Sequence, residues 1–340
     1  MRSSYSLATI LFLGTTIGGC SSFYSASHRA TSSQSDRRLI DSCIGGRHQL
    51  LATSAEATPN EHNTQSTATR SYNTKADEFY QKFGKIPLPL IMHDNLERLL
   101  SEDKRINNEN HNNRILVVGD VHGCLDELLT LVQKATIGHN NNQQFRAIVL
   151  VGDLGNKGPS SAQVIAHVRT QPNWYTVRGN HDDSALSAAL GDPERKSKPR
   201  YAWVKELSDV DVVWMSNLPY TITIPRSMLN DGSQQDVIIV HAGIDPKIDL
   251  SSQETKTMIT LRNLMDENNP KGEAWAKLWP GKELIIFGHD AKRGIQQEKY
   301  AIGLDSGCVY GNKLTGVILP EREFVSVDAT REHCPIKKKV

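Results

Sequence analysis

The stretch ILVVGDVHGC, residues 115–124, is an apolar run that turns polar at Gly119. Aliphatic residues that end abruptly at a glycine are typical of a buried strand followed by a tight turn. Asp120 and His122 lie two residues apart, so in an extended chain their side chains point to the same side. A carboxylate and an imidazole placed in this way can bind one metal ion, although they can also form an ordinary polar loop.

The same pattern of an apolar strand with a polar end recurs in FRAIVLVGDLG and NWYTVRGNHDD. Helical spacing follows each strand, in CLDELLTLVQKA (124–135), SSAQVIAHVRTQ (160–171) and SALSAALG (184–191). Ser160 and Ser161 are candidate caps for the second of these helices. Alternating strands and helices predict an α/β fold whose largely parallel sheet binds ligands at the carboxyl ends of its strands.

The second half of the chain is richer in strands, so we expect a second sheet that packs on the first. Two of its apolar runs, VIIVHAG and LIIFGHD, again end in a histidine. The strand ends together supply seven candidate ligands: Asp120, His122, Asp153, Asn180, His181, His241 and His289. Oxygen and imidazole ligands without a thiolate suit Mn, Fe or Zn. Seven groups are too many for one ion and enough for two ions that share a carboxylate.

Five motifs in a fixed order carry a family resemblance: GDVHGC, GDLGNKGPSS, RGNHD, FGHDAKRGIQ and GLDSGCVYG. They resemble the calcineurin-like metallophosphoesterase superfamily, in its phosphoprotein-phosphatase branch, and most closely the ApaH-like phosphatases, which are relatives of the bacterial diadenosine tetraphosphatases. The resemblance covers residues 114 to about 330. It implies an αββα sandwich of the metallophosphoesterase type, in which two packed mixed β-sheets are flanked by helices and the metal site lies at the C-terminal ends of strands.

The resemblance also implies a ligand set for two divalent ions. The first ion would be held by Asp120 and His122, and Asp153 would bridge both ions. The second ion would be completed by Asn180, His241 and His289. The metals would be Mn, Fe or Zn, and a hydroxide between them would attack phosphorus.

Four further residues are expected to act on the substrate. By the same resemblance His181 would protonate the leaving group, while Lys157 and Arg178 would contact phosphate oxygens. Eukaryotic protein phosphatases carry an Asp and an Arg where this chain has Asn156 and Lys157. His181 should therefore be less basic, unless Asp182 replaces the missing carboxylate. A lysine ammonium is a point charge, whereas an arginine guanidinium can donate two parallel hydrogen bonds to a phosphate. The lysine therefore weighs against a dedicated protein phosphatase.

The expected activity is hydrolysis of a phosphate ester or phosphoanhydride by a two-metal phosphohydrolase. Inorganic polyphosphate is one candidate substrate, and phosphoproteins, dinucleoside polyphosphates and capped RNA are the others. The non-enzymatic alternative is an inactive binding scaffold on the same fold. Such scaffolds usually lose ligands, whereas none of the expected ligands is missing here. Cys124, beside the predicted site, is either a small buried side chain or a redox-sensitive thiol.

The chain divides by composition into a signal-like leader (1–20), a low-complexity and largely disordered segment with linker (21–113), the catalytic domain (114–330) and a basic tail (331–340). The leader predicts a secretory, endomembrane (vacuole-like) or extracytoplasmic location, with an organelle-targeted or cytoplasmic protein as the alternative. Its apolar run is too short for a stable membrane span. A net charge of +1 is too small to predict binding to nucleic acid. The predicted partner is a phosphate-containing substrate.

Overall fold

Two mixed β-sheets form the centre of the fold. The computed structural model describes residues 88–106, 113–137, 144–229, 232, 235–267 and 269–335. The predicted leader, the low-complexity segment up to residue 87 and residues 336–340 of the tail lie outside these residues.

The strands, in chain order, are β1 (His93–Asn95), β2 (Ile115–Val118), β3 (Ala147–Leu150), β4 (Trp174–Thr176), β5 (Thr221–Ile224), β6 (Val237–Val240), β7 (Asn263–Asp266), β8 (Asn269–Ala274), β9 (Leu284–Phe287), β10 (Gln296–Glu298), β11 (Ala301–Gly303), β12 (Lys313–Leu319) and β13 (Glu323–Asp328). The α-helices are α1 (Leu96–Glu102), α2 (Leu125–Ile137), α3 (Ser161–Thr170), α4 (Asn180–Ala189), α5 (Pro193–Lys196), α6 (Asp209–Ser216), α7 (Thr255–Thr260) and α8 (Trp275–Leu278). Short 3₁₀ helices span Pro199–Glu206, Arg226–Met228 and Leu250–Ser252. Among the helices of the described residues, none is both long and apolar enough to cross a membrane.

The first sheet has the order β13-β12-β2-β3-β4, in which β2, β3 and β4 are parallel and β12 is antiparallel to both its neighbours. The second sheet has the order β1-β5-β6-β9-β11-β10, with β6, β9 and β11 parallel. Strands β7 and β8 form a separate antiparallel hairpin. The parallel strands of both sheets therefore carry the loops in which the predicted ligands lie.

Alternating side chains along the buried strands fill different layers of the core. Ile115 and Val117 of β2 belong to the cluster that joins both sheets, together with Ile239 of β6. Leu116 and Val118 point the other way and pack with residues of the helices on the outer face of the first sheet. A third cluster covers the outer face of the second sheet with residues of α7 and α8. The predicted sandwich of two mixed sheets flanked by helices is confirmed.

The packed domain begins before Arg114, although the sequence predicted that residues 21–113 are a largely disordered segment with a linker. Strand β1 pairs in parallel with β5, and Leu96 at the start of α1 is fully buried between the sheets. Leu99 and Leu100 pack against the same cluster, which gives α1 a short apolar stripe. The linker prediction is therefore wrong for this segment. The apolar pattern of α1 is only one helical turn long, which is too short to predict a buried helix from the sequence.

Two local predictions about helix starts also need correction. Helix α4 begins at Asn180, so the third motif lies on the first helical turn and not in a loop before Ser184. Ser160 makes no side-chain capping bond to α3. Instead, Ser161 Oγ accepts a hydrogen bond from the Asn156 backbone N–H at 2.9 Å. The serine thus fixes the loop that carries Lys157, and does not cap the helix.

Candidate metal centre

The six predicted metal ligands come together at the carboxyl ends of strands from both sheets. Asp120 and His122 follow β2, Asp153 follows β3 and Asn180 opens α4. The histidines after β6 and β9 complete the set from the second sheet. Asn180 is half-buried, and the remaining five ligands are buried: Asp120, His122, Asp153, His241 and His289.

Asp153 lies between two groups of potential ligands. Its Oδ2 is 3.5 Å from His122 Nε2, and its Oδ1 is 3.4 Å from His241 Nε2. One group consists of His122, Asp153 and His181, and the other of Asp120, Asp153 and His241, with the ligand atoms of each within 4.8 Å of one another. A carboxylate that turns one oxygen to each group has the geometry that a bridging ligand requires.

On the His241 side, atoms that can only accept hydrogen bonds face each other. His241 Nδ1 lies 2.9 Å from the Val151 carbonyl, so Nδ1 carries the proton and Nε2 presents a lone pair. That lone pair is 2.9 Å from Asn180 Oδ1. His289 Nδ1 lies at the same distance from this oxygen, and His289 Nε2 is buried without a hydrogen-bond partner. His289 Nδ1 can donate to this oxygen, but His241 Nε2 and Asn180 Oδ1 are both acceptors, so they repel each other and attract a cation.

On the His122 side, a lysine provides the positive charge. His122 Nδ1 lies 3.1 Å from the Gly155 carbonyl, which again leaves Nε2 as an acceptor. Lys157 Nζ donates to this Nε2 at 2.8 Å, and it lies 5.2 Å from the centre of the Tyr310 ring. The lysine that was predicted to contact phosphate therefore occupies the lone pair of a predicted metal ligand. A metal ion on His122 requires Lys157 to withdraw.

Several site residues have a left-handed backbone that residues other than glycine rarely adopt. The φ angles are 48° at His122, 51° at Asp153, 72° at Asn156, 74° at Lys157 and 69° at His289. Each such residue costs of order 1–3 kcal/mol and persists only where its surroundings enforce it. Here the His122 N–H donates to the Asp153 carbonyl at 2.8 Å, which couples the first two motif loops. Strain of this kind concentrates at functional sites.

The charges of the centre fit divalent cations. Burial, followed by the charges of Asp305 and Asp153, raises the pKa of Asp120 well above its usual range. Burial raises the pKa of Asp153 to about 7, and it lowers that of His241 to about 4. A nearby cation stabilises the charged form of such buried carboxylates, and neutral imidazoles are the form that binds metals. Hard oxygens, imidazole nitrogens and excess negative charge together suit Mn, Fe or Zn.

His181 is held by Asn156 and not by Asp182. Asn156 Nδ2 lies 2.8 Å from His181 Nδ1, which leaves the proton of a neutral imidazole on Nε2. The Asp182 carboxylate accepts hydrogen bonds from the backbone N–H groups of Leu154 at 2.9 Å and Gly179 at 3.0 Å. Asp182 therefore joins the second and third motif loops. The expectation that it would orient His181 is not met, because both its oxygens are used by the backbone.

Arg178 also lies away from its predicted position. Its side chain is fully buried, and Nη2 donates to the Ser216 carbonyl at 2.8 Å. Nη1 lies 3.5 Å from Asp183 Oδ1 and 3.3 Å from the Tyr220 hydroxyl. In this arrangement the guanidinium ties the start of α4 to α6, so we withdraw the direct phosphate contact predicted for it.

Arg262 is a site residue that the sequence did not reveal. Its Nη2 donates to the His289 carbonyl at 2.8 Å, and its Nε lies 3.5 Å from Asp290 Oδ1. Arg293, which the sequence left open between a phosphate contact and a surface charge, bonds to Asp290 and Asn263. Arg262 lies outside every recognisable motif. Only the position of the β7–β8 hairpin beside the β9 loop brings it to the centre.

Comparisons with known proteins agree with this geometry. The family model described as calcineurin-like phosphoesterase matches residues 113–318. The chain is 32% identical over 232 residues to a bis(5'-nucleosyl)-tetraphosphatase PrpE [asymmetrical] of Oceanobacillus iheyensis, a match that covers 63% of this chain and 92% of the relative. The protein of the same name from Bacillus velezensis is 30% identical, with the same coverage. A crystal structure assigned as a diadenosine tetraphosphatase superposes with a TM-score of 0.55 and 29% identity, covering 70% of this chain and 98% of that one.

Proposed function

This chain belongs to the calcineurin-like phosphoesterase family, and we propose that it cleaves dinucleoside polyphosphates asymmetrically at a centre of two divalent metal ions. Family membership makes it a metal-dependent hydrolase of phosphate esters or anhydrides. The observation that carries the two-metal proposal is the position of Asp153, whose two oxygens face two separate groups of ligands.

The residues sort into two half-sites around this shared carboxylate. Asp120 lies within reach of both His241 and His122, whose Nε2 is 4.0 Å from Asp120 Oδ2. Following the family resemblance, we assign Asp120 and His122 to the first half-site, and Asn180, His241 and His289 to the second. Manganese, iron and zinc all suit these donors. When bound, two such ions polarise phosphoryl oxygens and supply a hydroxide nucleophile at neutral pH.

His181 is the proposed acid for the leaving group. Its Nε2 proton is fixed by the Asn156 contact at Nδ1. Burial, followed by the charge of Lys157, lowers the pKa of His181 to about 2. The negative charges of a bound polyphosphate would oppose the second effect and raise this pKa, so bound substrate would favour the protonated imidazolium, the form that can give a proton to the leaving group.

The proposed substrate class rests on the names of the relatives and on the cations around the centre. Lys157 reaches the first half-site, and Arg262 lies beside the second. The charge of Arg200 acts on His181. A chain of four phosphates is long enough to engage several such cations, whereas a single phosphomonoester is not. Asymmetric cleavage of four phosphates yields a nucleoside triphosphate and a nucleoside monophosphate.

Inorganic polyphosphate is the second candidate, since it presents the same phosphoanhydride chain without nucleosides. A secretory, vacuole-like or extracytoplasmic location is proposed from the leader-like residues 1–20 alone. In such a compartment polyphosphate would be an accessible substrate.

The test is a comparison of substrates with the purified full chain. Diadenosine tetraphosphate, polyphosphate, capped RNA, a phosphopeptide and p-nitrophenyl phosphate would be offered with Mn²⁺ and with Zn²⁺, and products separated by ion-exchange chromatography. We expect the highest kcat/KM on diadenosine tetraphosphate, with ATP and AMP as products. Shortening of polyphosphate with no cleavage of diadenosine tetraphosphate would replace our first candidate by the second. Two molecules of ADP as products would contradict asymmetric cleavage.

A further inference from the structure

A second group of metal-ligating side chains lies on the outer face of the first sheet. Cys124, Glu127 and Cys308 place one ligand atom each within 4.8 Å of one another. All three are buried, with exposed fractions of 1%, 4% and 2%. Both thiols are free and lie in the apolar cluster with Leu128 and Val309. None of the three has a part in the proposed hydrolysis.

The spacing of these residues brings their side chains to one point. Cys124 immediately precedes α2 and Glu127 lies in its first turn, so the two are three residues apart on one face of the helix. Cys308 follows β11 and comes from a distant part of the sequence. One pair from a helical turn and one ligand from a remote loop is a common way to enclose a structural ion.

Glu127 is the least expected member of this cluster. A glutamate is rarely buried unless it is paired, and its described hydrogen bonds come from the backbone N–H and the hydroxyl of Thr330, at 2.9 and 2.7 Å. Both bonds fall on Oε1 and fix the orientation of the carboxylate. Such outer contacts are typical of carboxylates that bind metals.

We propose that Cys124, Cys308 and Glu127 bind a zinc-class divalent ion at a structural site separate from the hydrolytic centre. Two thiolates select soft or borderline metals such as Zn²⁺ over Mn²⁺ or Mg²⁺. The thiolates and the carboxylate bring three negative charges, of which a dication offsets two. The hydrolytic centre has no thiolate in its predicted ligand set, so the two sites differ in the metals that they prefer.

The C-terminal segment supplies a fourth group near this cluster. The backbone N–H of His333 donates to the Val309 carbonyl at 3.0 Å, next to Cys308. The charge of His333 also acts on Glu127. A structural zinc site has four ligands, and His333 and Cys334 are the potential donors on the segment whose backbone bonds to Val309 beside Cys308. The ion would then tie together α2, the loop after β11 and the segment after β13.

Cobalt substitution in the full chain tests this site directly. Thiolate-bound Co²⁺ gives a charge-transfer absorption in the near ultraviolet, which oxygen and imidazole ligands do not give. We expect this absorption at one equivalent of Co²⁺ in the Asp153→Asn variant, in which the hydrolytic centre is disabled. It should vanish in Cys308→Ser and persist in weakened or full form in Cys334→Ser, because Cys334 packs against the same apolar cluster but is not one of the three grouped ligands.

Failure of this site is distinguishable from failure of the hydrolytic assignment, because the readout does not involve turnover. Zn²⁺ should also slow the reaction of Cys124 and Cys308 with a thiol reagent at least about tenfold in the unmutated chain. This second measurement decides the matter if Cys308→Ser does not fold. Absence of thiolate absorption and of protection overturns the proposal. A Cys124–Cys308 disulfide in peptide maps of the metal-free chain overturns it in favour of a redox pair.

Discussion

The two half-sites proposed for the hydrolytic centre share Asp153 but differ in how their ligands are held. In the second half-site, His241 Nε2 and His289 Nδ1 each lie 2.9 Å from Asn180 Oδ1. In the first half-site, Lys157 Nζ already occupies the lone pair of His122 at 2.8 Å. The second half-site is thus arranged for an ion, whereas the first contains a positive charge of the chain itself.

This difference implies an order of binding. An ion entering the second half-site relieves the repulsion between facing acceptors and displaces nothing. An ion entering the first half-site must first move Lys157 from His122. We therefore expect the second half-site to bind metal more tightly, and the displaced lysine to become available to a substrate phosphate.

The largest expected effect comes from removing the shared ligand. Asp153→Asn should abolish binding of both ions and lower turnover by at least roughly a thousandfold, because metal polarisation supplies several kcal/mol of the catalytic effect. Elemental analysis and kinetics on p-nitrophenyl phosphate would measure both losses. Asp211→Asn is the control, since it alters a buried carboxylate of α6 that lies in neither ligand group. Full occupancy of either half-site in Asp153→Asn would show that this carboxylate does not bridge.

The metal centre was predictable from the sequence to the extent that each ligand lies at the end of an apolar strand. The apolar strands and their polar ends were enough to predict that Asp120 and His289 lie at one edge of the sandwich. The predictions for Asp182 and Arg178 were wrong because closeness to a motif in the sequence does not show where a side chain points. Asp182 turns to backbone N–H groups, and the Arg178 guanidinium turns to Ser216.

Other features depended on contacts that no local pattern records. Strand β1 has three residues and is stable only because β5 lies beside it. Arg262 reaches the centre through the chain path of the β7–β8 hairpin. The contact between Lys157 and His122 depends on a left-handed backbone at both residues, which their side chains do not favour.

The second prediction separates proton transfer from metal binding. His181 lies in one ligand group with His122 and Asp153, so it could serve either as a ligand or as the acid. His181→Asn should keep both ions and lower turnover roughly 10²–10⁴-fold on substrates with poor leaving groups. The loss should be smaller on p-nitrophenyl phosphate, whose leaving group needs little protonation. Loss of one ion in this variant would make His181 a ligand of the first half-site.

The third prediction tests the lysine that distinguishes the half-sites. Lys157→Met removes the charge and keeps the length, so His122 is freed for metal. Isothermal titration should show tighter binding of the weaker ion, while turnover falls roughly 10²–10³-fold because a donor to the phosphoryl oxygens is lost. Lys157→Arg should keep part of the activity. Unchanged affinity of the weaker ion would mean that Lys157 does not compete with it.

The smallest expected effect comes from displacing a first half-site ligand, through a glycine of the other sheet. A Cβ at Gly288 would lie 1.9 Å from Asp120 Oδ1, so Gly288→Ala must displace this carboxylate. The displacement also disturbs the hydrogen bonds from the His289 N–H to Asp120, at 3.1 and 3.2 Å. We expect roughly 10–100-fold weaker binding of one ion, the size of effect seen when the supports of a metal ligand are changed.

The second ion should weaken less in Gly288→Ala, because the hydrogen bonds that fix His241 run to Val151 and Asn180 and not to Asp120. Gly303→Ala is the matched control on the same sheet, since its Cβ would meet the Phe287 ring at 2.9 Å and no carboxylate. Metal titration of both variants decides the outcome. Equal weakening of both ions in Gly288→Ala would show that the half-sites are one cooperative unit, because a disturbance confined to Asp120 would then reach Asn180 through Asp153.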